Sequence, residues 1–259
     1  MAASVQKVRD LLRVGLNLVF SVGQVFASFV SSIFGIGVSI AARSAGKETT
    51  AQPAAYAFSI WGLIFPACIA YGIFQALPAE RENPLLRRIG FYTAAAFIAT
   101  ALWAIIAQLR NNDWVLLIVI SSVLLFAGIA LARIIHYEPA LSSLERYLIV
   151  FPISIFTAWI TLATLVSLSS IIRIAGIESY NFWAIGIIIV AGLVGAYVTT
   201  AKRGNPWYGI IIIWGLTGTL IADLSREHNV PAAVVSGTML LIVLLSLIRS
   251  LVLSRNTSG

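Results

Sequence analysis

The 17 Lys and Arg and the 10 Asp and Glu of this chain all fall in the gaps between eight long uncharged stretches. The stretches are Val14 to Ala42, Thr49 to Ala79, Ile89 to Leu109, Trp114 to Ala132, Tyr147 to Ile172, Ser179 to Ala201, Gly204 to Ala222 and His228 to Ile248. Crossing a hydrocarbon core takes about 20 mainly apolar residues in an α-helix, and each stretch supplies that length. Charged residues make up 10% of the chain, against about 25% in an ordinary soluble domain. The stretches lack the two-residue alternation of an outer-membrane strand, and in lipid a helix satisfies its own backbone polar groups. The pattern predicts an all-α, polytopic transmembrane bundle of about eight helices.

Eight spans place successive gaps on alternate sides of the membrane. One side then carries Lys7, Arg9, Arg13, Arg81, Arg87, Arg88, Arg133, Arg146, Lys202, Arg203, Arg249 and Arg255; the other carries Arg43, Lys47, Arg110, Arg173 and Arg226. Positive charge accumulates on the cytoplasmic face, so both termini are expected there, with the cell membrane as the location. The net charge of +7 is thereby a topological property. A nucleic-acid partner would need a basic soluble face, and no segment is long enough to build one. The basic residues before the first stretch also resemble a signal peptide, with Ile40 to Ala45 as a cleavage region. An apolar run about twice the usual signal-peptide core argues for a retained helix instead.

Chemistry-bearing motifs are sparse. The single cysteine, Cys68, excludes an internal disulfide, and His136 and His228 stand alone near expected helix ends. No phosphate-cradling Gly-rich loop, nucleophile elbow or metalloprotease helix is present, so an enzyme is not expected and no metal site is assigned. No Asp, Glu, Lys or Arg falls deep in any stretch, since Asp223 and Arg249 lie toward ends. That counts against an ion-coupled carrier, which holds ionisable groups at membrane depth.

Two small or hydroxylated stripes stand out. Ser28, Ser31, Ser32, Gly35 and Ser39 recur at three- to four-residue spacing in the first stretch, as do Ser154, Thr157, Thr161 and Thr164 in the fifth. Close helix packing explains both; a polar cavity wall is the functional alternative. Gly192 and Ala196 read as packing residues. Of seven Trp, Trp114, Trp183 and Trp207 lie near expected helix starts and suit an interfacial belt. Trp61, Trp103, Trp159 and Trp214 lie deeper, where a buried indole N–H seeks a protein acceptor. An interior lined by such rings suits a large apolar ligand.

The run Gln52-Pro53-Ala54-Ala55-Tyr56-Ala57-Phe58-Ser59-Ile60-Trp61-Gly62-Leu63-Ile64-Phe65 resembles the second-helix pattern of the TspO/MBR family of tryptophan-rich sensory or translocator proteins. The run from Phe151-Pro152 through Trp159 to Leu165 is similar to that family's fifth helix, and Trp103 to its third-helix Trp. The matches lie in family order across about residues 14 to 172, five helices, the size of the family's fold. The departures are Thr100 and Ser167 at family Asn positions, Phe65 at a family Tyr, and no Trp between Arg43 and Pro53. The chain thus resembles a longer, divergent relative: a TspO-like five-helix bundle over 1–172 and three added membrane helices over 173–259.

The resemblance implies a binding or sensory membrane protein that holds a hydrophobic ligand such as a tetrapyrrole, sterol or carotenoid-like molecule. No cofactor is fixed by the residues; a porphyrin is the ligand the resemblance brings forward. Trp61, Trp103 and Trp159 would form stacking walls, and Phe58, Phe65, Thr100, Ser154 and Thr161 would line or orient. Pro53 and Pro152 would start their helices, proline being tolerated in a first turn. The competing expectations are a facilitator for a small neutral solute, with Gly204-Asn205-Pro206 and Asn229-Val230-Pro231 as mobile joints, and a structural subunit of a membrane assembly. The partners expected are the bilayer and a hydrophobic small molecule, and a homodimer is left open.

Overall fold

The computed structural model describes residues 2–44, 48–110, 112–201 and 204–256, so Lys47, Lys202, Arg203 and Ala45 of the cleavage region lie outside the described residues. Within them the chain is helical and contains no strand, and eight helical segments are long and apolar enough to cross a membrane. The helices are α1 (Ala2–Ser28), α2 (Val30–Phe34), α3 (Ile40–Ser44), α4 (Trp61–Ala76), α5 (Pro84–Leu109), α6 (Asp113–Ile135), α7 (Ser143–Glu145), α8 (Phe151–Ile174), α9 (Tyr180–Thr200), α10 (Pro206–Ala222) and α11 (Val230–Asn256). Contacts group them into two compact units, residues 1–43 with 62–156 and residues 44–61 with 157–259.

The first span departs from expectation at both ends. Its helix begins at Ala2 and stops at Ser28, and the span covers Ser4–Ser28. The stripe Ser28 to Ser39 is therefore not one helix face: Gly35 and Gly37 take φ of 65° and 73°, values that an L side chain avoids. Gln108 of α5 satisfies the broken end, its Nε2 donating to Ala27 O at 2.7 Å and its Oε1 accepting from Ser31 N at 2.8 Å. The early start carries charge into the span. Asp10 and Arg13, which precede the first uncharged stretch, fall toward the start of this span and are buried; Asp223, just after α10, is buried as well.

These groups are tolerated because they sit on one face of α1. Asp10, Arg13, Asn17, Ser21 and Gln24 follow helical spacing and are all buried within the first unit. Asp10 accepts from Arg87 Nη2 at 2.6 Å and Nε at 3.1 Å. Arg13 donates to Gln75 Oε1 at 2.9 Å and to the Arg81 carbonyl at 2.6 Å. Asn17 donates to Gly90 O at 2.7 Å and accepts from Thr93 Oγ1 at 2.7 Å, while Thr93 also meets the Tyr71 hydroxyl at 2.8 Å. Small residues make room for this seam: a Cβ at Gly72 or Gly90 would collide with Ser21 or Arg13. Most of the seam's polar atoms are thereby paired within the protein, as a bilayer requires, while Arg13 Nε, Gln24 Oε1 and Gln75 Nε2 have no partner among the described residues.

In the second unit, α9, α10 and α11 pack through small residues. Gly192 faces Met239 and Gly195 faces Ile212, each so close that a Cβ would clash, which bears out packing for Gly192. The two interruptions are built caps. Asn205 Oδ1 accepts from Tyr208 N at 3.1 Å before Pro206, and Asn229 Oδ1 accepts from Ala232 N at 3.2 Å. The span containing α8 begins with a capping box, Ser142 with Glu145, followed by a π turn over Arg146–Val150. The π turn lets Phe151 N reach Arg146 O and loosens the backbone that Pro152 would otherwise crowd.

Candidate functional site

The run that carries the family pattern does not start as an α-helix. Residues Ala55–Ile60 form a 3₁₀ turn, and the α-helix begins at Trp61. Pro53 is buried and lies two residues ahead of that turn, so it does not occupy a first helical turn as expected. Instead the segment is fastened along its length within the second unit. Thr50 N donates to the Tyr180 hydroxyl at 3.0 Å, Arg226 Nη2 donates to the carbonyls of Thr49 and Gln52 at 3.1 and 3.2 Å, and Ala54 N donates to Gly218 O at 3.0 Å.

Trp214 of α10 completes the fastening. Its indole N–H donates to Ala57 O at 2.9 Å, and its ring meets Tyr56 edge-on at 5.4 Å. Trp214 lies eight residues before the end of α10, about 12 Å of helix, so the 3₁₀ turn reaches well down that helix. Irregular backbone at depth survives only against protein, and here α10 supplies it. On the same turn Phe58 meets Trp159 edge-on, with centroids 5.6 Å apart. Trp159 is 2% exposed while Phe58 is 40% exposed, so the pair is anchored on one side and open on the other.

The remaining expected residues divide between the units. In the second unit, Trp61 is half-buried and Thr161 is buried, its hydroxyl 2.8 Å from the Tyr208 hydroxyl and donating to Thr157 O at 2.9 Å. In the first unit, Thr100 is buried and donates to Ala96 O at 2.9 Å. Both threonine hydroxyls thus donate to a carbonyl of their own helix. Ser154 is buried and Phe65 half-buried. Trp103 packs beside Ala27, Ala101 and Ala104, and its buried indole N–H has no acceptor among the described residues. Trp114 and Trp183 are exposed at the starts of α6 and α9, where a belt places them. Among the described residues no cluster of His, Cys, Asp or Glu could hold a metal ion.

A family model described as TSPO-like protein matches residues 14–248. The chain belongs to the TSPO-like protein family. The TSPO-like match runs past residue 172 and into the last span. No curated protein and no solved structure matches the chain. Sequence reading missed Tyr56, Tyr180, Tyr208 and Arg226, and left Trp214 out of the site although its depth was evident. Trp214 was the available signal: an indole that deep needs a carbonyl, and the nearest irregular backbone precedes α4.

Proposed function

We propose that this multi-pass membrane protein of the TSPO-like family binds a large, flat, apolar ligand of tetrapyrrole, sterol or carotenoid type. The carrying observation is the fastened 3₁₀ turn, which presents Phe58 against the buried ring of Trp159. An aromatic pair held rigid on one side and open on the other loses little freedom when a flat ligand stacks on it. Trp61 and Tyr56 extend the aromatic surface of this segment. Pro53 fixes its approach. Within the first unit, Phe65, Thr100, Trp103 and Ser154 are proposed separately as ligand-lining residues, with Trp103 N–H as a donor. On this reading the last three helices serve binding, since α10 holds the segment in place. The protein binds or senses rather than catalyses, and its termini face the cytoplasm across the cell membrane.

The test is titration of detergent-purified protein with protoporphyrin, followed by Trp fluorescence. Saturable quenching is expected, weakened by Phe58→Ala and by Trp159→Phe. Quenching no greater than for an unrelated membrane protein, or equal in both variants, refutes the reading.

A further inference from the structure

A cleft of about 460 Å³ lies at the N-terminal end of α1, within the first unit, lined by Gln6, Arg9, Asp10, Arg13, Arg87 and Phe91. Three guanidinium groups there face a single lining carboxylate. Asp10 is engaged by Arg87 at 2.6 Å and stands 3.6 Å from Arg13; the exposed Glu82 reaches Arg87 only at 3.7 Å from outside. The lining therefore keeps an excess of two positive charges, or one with Glu82 counted. Arg13 is 1% exposed, and its Nε–H lacks an acceptor among the described residues. A buried cation with an unused donor at a cleft short of negative charge calls for an anion.

We propose that this cleft binds the phosphate group of a phosphate ester. Guanidinium forks match phosphate oxygens in pairs, and the volume exceeds a bare ion while falling within the range of small-ligand sites. Position favours a lipid headgroup as the source. Gln6 lies about 3 Å and Asp10 about 9 Å from the end of a span of 25 that overreaches the hydrocarbon core by about 4 Å on each side, so the cleft straddles the core boundary. Val5, Val8 and Leu12 are exposed on α1, and Phe91 is half-open beside the cleft, an apolar flank along which acyl chains lie.

Delipidated full-length protein tests this by native mass spectrometry with dioleoyl phosphatidylglycerol and dioleoyl phosphatidylcholine, and by thermal shift with glycerol 3-phosphate. The probing variant is Arg9→Gln, because Arg9 is exposed and bears no bond on which the seam depends. The expected result is preferential retention of phosphatidylglycerol, falling about two- to fivefold in Arg9→Gln, as for an exposed ion pair, and kept in Arg9→Lys. Stabilisation by glycerol 3-phosphate, lost in Arg9→Gln, also supports the phosphate site and assigns it a soluble source. Equal retention of the two lipids with no glycerol 3-phosphate effect overturns the proposal. So does a phosphatidylglycerol preference unchanged by Arg9→Gln, which would place the anion elsewhere.

Discussion

Replacing Gly218 by alanine puts a methyl group where α10 and the 3₁₀ segment touch. The new Cβ would stand 2.9 Å from Ala57 Cβ and 3.0 Å from Pro53 Cβ, neither of which can rotate away. Carbon atoms rest at about 3.5–4.0 Å, so the segment must retreat by at least about 0.5 Å. Retreat stretches the Ala54 to Gly218 and Trp214 to Ala57 hydrogen bonds together. Overpacking of this kind costs about 1–3 kcal/mol. Alanine also gains up to about 1 kcal/mol over glycine inside a helix, so the cost must be read against a control with only that gain. Gly128→Ala in α6 is that control, because nothing lies within 4 Å of its would-be Cβ. Denaturant unfolding in mild detergent, followed by Trp fluorescence, should separate the two variants by about 1–3 kcal/mol. A separation under about 0.5 kcal/mol, within ordinary surface-substitution scatter, would refute the fastened segment.

Asn17→Leu removes the hydrogen bonds to the Gly90 carbonyl and from Thr93, which keep only each other and Tyr71, and is expected to lower stability by about 1–2 kcal/mol on the scale of hydrogen bonds between membrane helices; unfolding in mixed micelles measures it. Asp10→Asn leaves Arg87 and Arg13 without their shared carboxylate, so the unfolding temperature should fall, and more so in low salt than in high. Cys68 is fully buried and is the chain's single thiol, so a membrane-permeable maleimide should label native protein only at the rate of opening. Labelling of folded protein as fast as free cysteine would show that α4 is misplaced. Trp214→Phe keeps most of the packing but removes the donor to Ala57, and should loosen protoporphyrin binding more than Trp114→Phe at the exposed belt.

Much of this architecture was legible in the chain because lipid imposes simple demands. A stretch of 20 uncharged residues has few alternatives to a spanning helix, and the Trp at helix starts follow from amphipathic rings settling at an interface. The motif around Trp61 and Trp159 pointed to the family that the match over residues 14–248 shows. What hydropathy could not see was pairing. Asp10 and Arg13 look like loop charges until α5 and α4 bring Arg87, Gln75 and the Arg81 carbonyl to them, and a counted charge carries no record of its partner. Ser28 to Ser39 has helical spacing, yet α1 ends at Ser28, where Gln108 takes up its free backbone groups, and two left-handed glycines follow the short α2.

The sequence by itself determined the solvent, the number of spans and the family, since each depends on residues read along one segment, but not the ends of the first span. Only the tertiary structure decided which polar groups are buried and which backbone leaves the helix. Those outcomes depend on donors and acceptors from segments far apart in the chain, whose pairing alone makes a charge inside α1, or a 3₁₀ turn against α10, tolerable in lipid.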